Sequence, residues 1–361
     1  MRVDHLWLAD YRSYTSAELT LPAGLVVVVG DNGSGKTNLL EAIAYLATLS
    51  SFRGATNDAL VRTGAAQAVV RGEGERAGRA LLVEVEIRPV GRGKVTLNRQ
   101  PLRRTADLAA ALRVTVFSPD DLDLVKAGPT GRRRYLDDVL AALHPRHDAL
   151  RRDFDRVVRQ RNALLAQAAG QRGNGRLSED VTTTLEVWDA RLVETGEALG
   201  AARADLVTRL EPALAKAYSS LAPGGSAGIA YEAPWREHGL AAALRRCRRD
   251  ELRRGVTLAG PHRDELALVI DGMPARTHAS QGEQRSLALA LRLAAHDVVT
   301  EAVGEPPLLL LDDVFSELDP VRSRALLDHM PLAQAVLTTT GDVPAGADPD
   351  RVVRVAHGRI E

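Results

Sequence analysis

The chain opens on alternating apolar and polar positions. Arg2–Leu8 (RVDHLWL) and Ala17–Leu21 read as two strands with one buried face, joined by a turn over Asp10–Thr15. Leu25–Val29 (LVVVV) breaks the alternation. Five apolar residues in a row, bounded by glycines, suit a strand buried on both faces. Residues 38–49 then place apolar side chains at helical spacing. Between residues 67 and 97 the segments QAVVR, ALLVEVEI and KVTL alternate again, separated by GEGERAG and PVGRG, the pattern of an antiparallel meander. Val114–Phe117 is one more short strand, stopped by Ser118–Pro119.

At Gly131 the period changes. From there to Arg254 helical spacing dominates, interrupted by the polar break QRGNGRLSED (171–180), read as a hairpin tip or loop. Strand-like texture returns at Glu265–Ile270, Leu308–Leu311, Ala335–Thr339 and Arg351–Val355, with helices between. No internal repeat is apparent. The expected plan is α/β with an inserted, mainly helical second lobe: a first part at 1–122, the insertion at 123–256, and a closing part at 257–361. Neither outer part holds enough strands for a complete doubly wound sheet, so the two are expected to form one body.

Composition narrows the class. Of 361 residues, 45% are apolar and 26% charged, which excludes a disordered or fibrous chain. No window approaches 18 consecutive apolar residues, so no membrane span is expected, and the alternating, charged N-terminus reads as a strand and not a signal peptide. A lone cysteine, Cys247, excludes an internal disulfide and argues against a zinc site. The expected compartment is the cytoplasm. The 47 basic residues balance the 47 acidic ones, but only Lys36, Lys94, Lys126 and Lys216 are lysines. Genomic base composition explains such usage as readily as selection for phosphate contacts. The arginines also cluster, at Arg132–Arg134, Arg151, Arg152, Arg156, Arg159 and Arg161, and between Arg245 and Arg254. Arg152, Arg156 and Arg159 share one helix face, which suits either a phosphate-tracking stripe or a solvated face paired with Asp153 and Asp155.

The sharpest chemical signal is Gly30-Asp31-Asn32-Gly33-Ser34-Gly35-Lys36-Thr37, a G-x-x-x-x-G-K-T string between a buried strand and an amphipathic helix. Its glycines let backbone N–H groups converge on phosphate oxygens at a helix N-terminus. Lys36 is placed for the β- and γ-phosphates and the Thr37 hydroxyl for Mg²⁺. The chain is therefore expected to bind a nucleoside triphosphate. Leu308–Leu311 followed by Asp312 and Asp313 ends a second buried strand in two carboxylates, the first suited to the Mg²⁺ shell and the second to an attacking water. Ser280-Gln-Gly282-Glu-Gln284 opens a further helix, either as a simple capping box or as another anion-binding terminus. Ser316-Glu-Leu-Asp319 lies just beyond the carboxylate pair.

Taken together, these motifs resemble the ABC-type ATPases in their SMC-like DNA-repair branch. GDNGSGKT is similar to Walker A, SQGEQ to the signature motif, LLLLDD to Walker B and SELD to the D-loop. LWLADYRSY, SFR (Ser51–Arg53), FSPDDL (Phe117–Leu122), GPTGRRRYLD (Gly128–Asp137), RQRN (Arg159–Asn162) and GPHRDEL (Gly260–Leu266) further resemble the RecF family of bacterial DNA replication and repair proteins. The resemblance covers effectively the whole chain.

It implies an ABC-type head with mixed sheets, binding ATP and Mg²⁺, that dimerises around two nucleotides. Lys36, Asp312 and Asp313 take the catalytic roles. Ser280, Gly282 and Asp319 face the nucleotide of the partner copy, and Arg12, or else Arg53, lies near the phosphates. It also implies binding to single- and double-stranded DNA at gaps, slow DNA-stimulated hydrolysis as a release switch, and work with RecO and RecR in RecA loading and the SOS response. Arg132, Arg133, Arg152, Arg156 and Arg159 are the candidate DNA contacts. Three departures from the wider ATPase pattern favour a switch over a motor. Asp313 stands where transporter heads carry glutamate, Asp120 and Asp121 replace the Q-loop glutamine, and Thr338-Thr339-Thr340 replace the switch histidine. Another SMC-like or ABC-type subunit is the alternative. A transporter subunit fits less well, given the long interval between Thr37 and Ser280.

Overall fold

The structure, a computed structural model, describes residues 1–170, 179–330 and 333–361. Of the expected hairpin tip at 171–180, residues 171–178 lie outside the described residues, while residues 179 and 180 are already helical. Along the chain come strands β1 (Arg2–Tyr11), β2 (Tyr14–Thr20) and β3 (Leu25–Val29), helix α1 (Lys36–Thr48), strands β4 (Ala68–Arg76), β5 (Arg79–Ile87), β6 (Val95–Leu97), β7 (Gln100–Pro101) and β8 (Val114–Phe117). Next are the helices α2 (Pro129–Leu143), α3 (Pro145–Gly170) and α4 (Glu179–Leu221), then β9 (Ala227–Glu232) and α5 (Leu240–Arg254). The chain closes with β10 (Glu265–Ile270), β11 (Met273–Pro274), α6 (Gln281–Val303), β12 (Leu308–Asp312), α7 (Pro320–His329), β13 (Ala335–Thr339), β14 (Arg351–Ala356) and β15 (Arg359–Ile360).

Three sheets organise these elements. The first is antiparallel, in the order β2-β1-β4-β5-β6-β7; the second, β11-β10-β9, is small; the third runs β15-β14-β3-β13-β12-β8. In the third, β14, β3, β13, β12 and β8 are parallel and β15 hairpins back onto β14. Strands from both outer parts of the chain thus interleave in one sheet, as expected.

The LVVVV run has a direct explanation in this sheet. Val26 and Val28 face a core shared with α1 and the antiparallel sheet, while Val27 faces the core built on α6 and the helical lobe. The same split sends Leu308 and Leu310 one way and Leu309 and Leu311 the other. Strands with two dry faces have no place for alternation.

Among the elements that escape the sequence reading is a full-length strand. Residues 227–232 (AGIAYE) sit in the mainly helical insertion yet form β9, which pairs antiparallel with β10 along its length. The expected 256/257 boundary therefore passes between two strands of one sheet.

Candidate nucleotide site

The register of the central sheet assembles the site. Strand β13 lies between β3 and β12, with Thr339 opposite Val29 and Thr338 opposite Asp312, so the carboxyl ends of three strands align at one edge. The loop 30–35 leaves β3 at that edge and α1 begins at Lys36. The loop is closely walled. A Cβ on Gly30 would lie 2.2 Å from the Val355 carbonyl oxygen, and one on Gly35, at φ +117°, would lie 2.8 Å from Tyr14 Oη. Only glycine meets both demands. Tyr14 Oη donates to the Gly35 carbonyl at 3.0 Å and Gly358 N donates to the Ser34 carbonyl at 3.0 Å, so the first and last hairpins hold the loop. Asp31, Asn32 and Gly33 stay exposed at its tip.

Lys36 folds back along the loop and donates to the carbonyls of Gly30 (2.6 Å) and Asp31 (2.9 Å). Burial lowers its pKa, opposed by the carboxylates of Asp313, Asp312 and Asp31. Asp312 is the hub. Its Oδ1 accepts from Thr37 Oγ1 at 2.8 Å and from Thr338 Oγ1 at 2.8 Å. Burial raises the Asp312 pKa, while those two hydroxyls and the positive charge of Arg53 pull it down. The Thr338 hydroxyl also accepts from Asp313 N at 2.9 Å. Asp313 itself is held at φ +50°. Its Oδ1 and the Ser34 hydroxyl are buried without a protein partner. Buried polar atoms are nearly always satisfied, so two orphans at one phosphate loop point to a ligand. The residues fit a triphosphate with Mg²⁺. Among the described residues no cluster of three or more His, Cys, Asp or Glu could hold a metal, so a cation on Thr37 and Asp312 would draw its other ligands from phosphate and water.

Arg12 has a structural partner on α1. The resemblance places it at the phosphates, but its Nε and Nη2 donate to the two Glu41 carboxylate oxygens at 2.7 and 2.8 Å, and its Nη1 donates to the Ala59 carbonyl at 3.0 Å. Glu41 is fully buried in α1 and also accepts from Ser51 Oγ, so removing Arg12 would strand a carboxylate in the core. Arg53, the second candidate, is the arginine whose charge acts on Asp312.

The signature opens α6. Ser280 Oγ accepts from Glu283 N at 3.3 Å and the Glu283 carboxylate accepts from Ser280 N at 2.7 Å, a complete capping box. Gly282 lies under Arg322, whose Nη1 would stand 3.0 Å from an added Cβ and donates to Asp319 Oδ2 at 3.0 Å. Asp319 caps α7 by accepting from Arg322 N at 2.9 Å. Signature and D-loop therefore share one surface. Among the described residues no hydrogen bond or ion pair joins residues 280–283 to residues 30–37. At the Q-loop position Asp121 is structural: it accepts from Ser118 N and from the Arg292 guanidinium, while Asp120 is exposed.

The candidate DNA arginines divide. Arg132 is buried, donating to both Glu265 carboxylate oxygens (2.7 and 2.8 Å) and to the carbonyls of Leu124 and Ala127. It is turned inward because four acceptors hold it there. Arg133, half-buried, donates to the Asp264 carbonyl at 2.8 Å and to Thr130 Oγ1. Arg152 and Arg156 are exposed but paired with Asp148 and Asp153 on their own helix, and Arg159 is exposed.

Two motifs prove structural. In RQRN, Arg161 is fully buried and donates to Asp189, Thr257 Oγ1 and Glu251, while Asn162 Oδ1 accepts from Thr257 N and Oγ1. In GPHRDEL, Asp264 accepts from Trp235 Nε1 at 2.7 Å and from Tyr231 Oη. His262 is half-buried against Phe154, and desolvation lowers its pKa to about 4. These contacts clamp the segment that connects α5 to the signature.

Phosphate loop, hydroxyl-bridged carboxylate, capped signature and adjoining D-loop define an ABC-type ATPase head of the SMC-like class. The family profile described as RecF/RecN/SMC N terminal domain matches residues 2–357. Curated relatives named DNA replication and repair protein RecF, from Streptomyces avermitilis and Frankia alni, are 44% and 45% identical to the chain. The alignments cover 100% of this chain and 100% and 99% of theirs. A solved structure described as the recombination mediator protein RecF-ATPrS in the RecFOR pathway superposes with TM-score 0.89 at 27% identity, covering 100% of this chain and 97% of that one. An Smc head domain from Pyrococcus furiosus shares the fold at TM-score 0.59 and 17% identity. The chain belongs to the RecF family.

Proposed function

We propose that this chain is an ATP-dependent DNA-binding protein of recombinational repair and replication restart, in which nucleotide closes a dimer and hydrolysis reopens it. The observation that carries the reading is the separation of two half-sites on one chain. Gly30–Thr37 with Asp312 and Asp313 form one. Ser280, Gly282 and Asp319 form the other, without a bond to the first. A second copy completes each.

In the closed state the backbone N–H groups of Gly30–Gly35 and the Lys36 ammonium cradle the phosphates. Lys36 reaches them by exchanging its bonds to the Gly30 and Asp31 carbonyls. Thr37 and Asp312 are the residues that would hold Mg²⁺, and the cation would supply charge neutralisation to the phosphates. Asp313, with an unsatisfied buried oxygen, orients the water. Its short side chain suits slow turnover, and DNA is expected to stimulate it. Arg53 is the better placed arginine for the phosphates.

The relatives' role in replication and repair supports DNA as the substrate. Family membership extends this to gaps on single and double strands, with RecO, RecR and RecA as partners in the SOS response. Of the five candidate DNA arginines, Arg152, Arg156 and Arg159 remain at the surface. Cytoplasmic residence accords with that role, and among the described residues no helix is long and apolar enough to cross a membrane.

The test is molar mass in solution with and without ATP and Mg²⁺. The wild type should dimerise on ATP, while Ser280→Arg should bind ATP and stay monomeric. A mass unchanged by ATP, or a mutant that dimerises equally well, overturns the composite site.

A further inference from the structure

We infer that the outer face of α5, at Arg245, Arg246 and Arg249, is a docking surface for the DNA phosphate backbone. The inference rests on the DNA-binding reading and assigns it a place. Helix α5 has two faces of opposite character. Leu240, Ala243, Leu244 and Glu251 are buried, whereas Arg245, Arg246, Arg249, Arg253 and Arg254 are exposed.

Charge accounting on this helix leaves three neighbouring arginines uncompensated. Its only acids are Asp250 and Glu251. Asp250 pairs with Arg253, and Glu251 is spent inside, accepting from Arg161 Nη2 at 2.6 Å and Leu258 N at 2.8 Å. Among the described residues Arg245, Arg246 and Arg249 have neither an ion pair nor a hydrogen bond. On α3 most of the arginines are compensated: Arg151 and Arg152 pair with Asp148 and Arg156 with Asp153, while Arg159 is exposed without an ion pair among the described residues. Arg253 and Arg254 lie in the last helical turn, where the helix dipole accounts for them. It does not account for three uncompensated guanidinia in mid-helix.

The array is held in place from behind. Arg248 donates to Asp189 Oδ2 at 2.7 Å, and the other oxygen of Asp189 accepts from Arg161. Helices α3, α4 and α5 are thereby tied through one network with Arg161 buried at its centre and Asp189 and Arg248 half-buried. Arg245 and Arg249 stand one helical turn apart, a step of about 6 Å, and Arg246 flanks them. The patch matches two or three phosphates on a strand that carries one charge per about 3.4 Å of duplex axis. No aromatic side chain is interleaved, which suits backbone contact without base readout.

The experiment uses the full chain with ATP and Mg²⁺. Binding to fluorescent duplex and single-stranded oligonucleotides is measured between about 50 and 200 mM salt. For R245Q/R246Q/R249Q the slope of log affinity against log salt should flatten by about 2–3 on duplex, the loss of two or three phosphate contacts per protomer. R245K/R246K/R249K should keep most of the slope, and R191Q, at an exposed arginine paired with Glu194 on α4, should change affinity less than twofold. Melting temperature and ATP affinity of the triple glutamine variant should match the wild type. An unchanged slope in that variant overturns the assignment and leaves the DNA reading standing. A wild type that binds no DNA at any salt overturns both. Loss of binding to phosphatidylserine vesicles with DNA binding intact assigns the face to a membrane and overturns the proposal.

Discussion

Thr37 and Asp312 stand 275 residues apart, and the hydroxyl of one donates to the carboxylate of the other at 2.8 Å. The bond exists because β13 separates β3 from β12 by one strand and its own Thr338 fills the gap, donating to the same oxygen. Burial sets the sign of the pH dependence. The folded pKa of Asp312 lies above its ordinary value, so its stabilising contribution is full below that ordinary value and is lost as pH rises through the folded one. At neutral pH the ionised carboxylate costs stability that cation binding offsets. Asp312→Asn should melt higher than the wild type without nucleotide and lose about 10–100-fold in Mg²⁺-dependent ATP affinity. In the wild type the Mg²⁺-dependent part of ATP affinity should fade on acidification before an ordinary aspartate would titrate. Thermal melts and ATP titrations in Mg²⁺ or EDTA across pH check both.

Asp313 separates binding from turnover. Asparagine tolerates the left-handed backbone at this position but cannot take a proton from water. Asp313→Asn should bind ATP within about threefold of the wild type and hydrolyse it at least about 100-fold more slowly. Single-turnover hydrolysis measured beside equilibrium binding tests this; a parallel loss of both would place Asp313 in nucleotide binding instead.

Two glycines in the half-sites should answer alanine differently. At Gly30 the new methyl meets the backbone carbonyl of Val355, which cannot move aside. Gly30→Ala should destabilise by about 1–3 kcal/mol and abolish ATP binding. At Gly282 the neighbour is the end of the Arg322 side chain, which can swing away. Gly282→Ala should fold and bind ATP normally while weakening the ATP-dependent dimer, as read by melting, ATP titration and molar mass.

The buried pair Arg161–Glu251 should behave as a unit. Arg161→Ala leaves the Glu251 carboxylate uncompensated in the core and should cost about 3–5 kcal/mol. Arg161→Met with Glu251→Gln should lose less than the sum of the two single changes. Chemical denaturation of the four proteins closes the cycle.

How much the sequence discloses depends on the range of the interaction. The phosphate loop is legible because its glycine demand is local, and LVVVV is legible because a strand with two dry faces writes itself as a run. Arg132 and Arg161 are not, since an arginine reads alike whether it faces solvent or a glutamate more than eighty residues away. For Arg12 a signal was present: Glu41 sits among apolar residues in NLLEAIAYL, and a carboxylate on the inner face of a helix requires a cation. Strand β9 was hidden because AGIAYE has little strand character of its own and becomes a strand only by pairing with β10.

The walls of the phosphate loop carry a consequence for synthesis. Residues 30–37 emerge early, but the Val355 carbonyl and the Gly358 amide that enclose Gly30 and Ser34 emerge almost a whole chain later. At about 5–20 residues per second, the loop waits on the order of 15–60 s for its roof. Until residue 358 is made the nascent loop lacks these two walls, and tight capture of ATP should mark a chain translated at least that far.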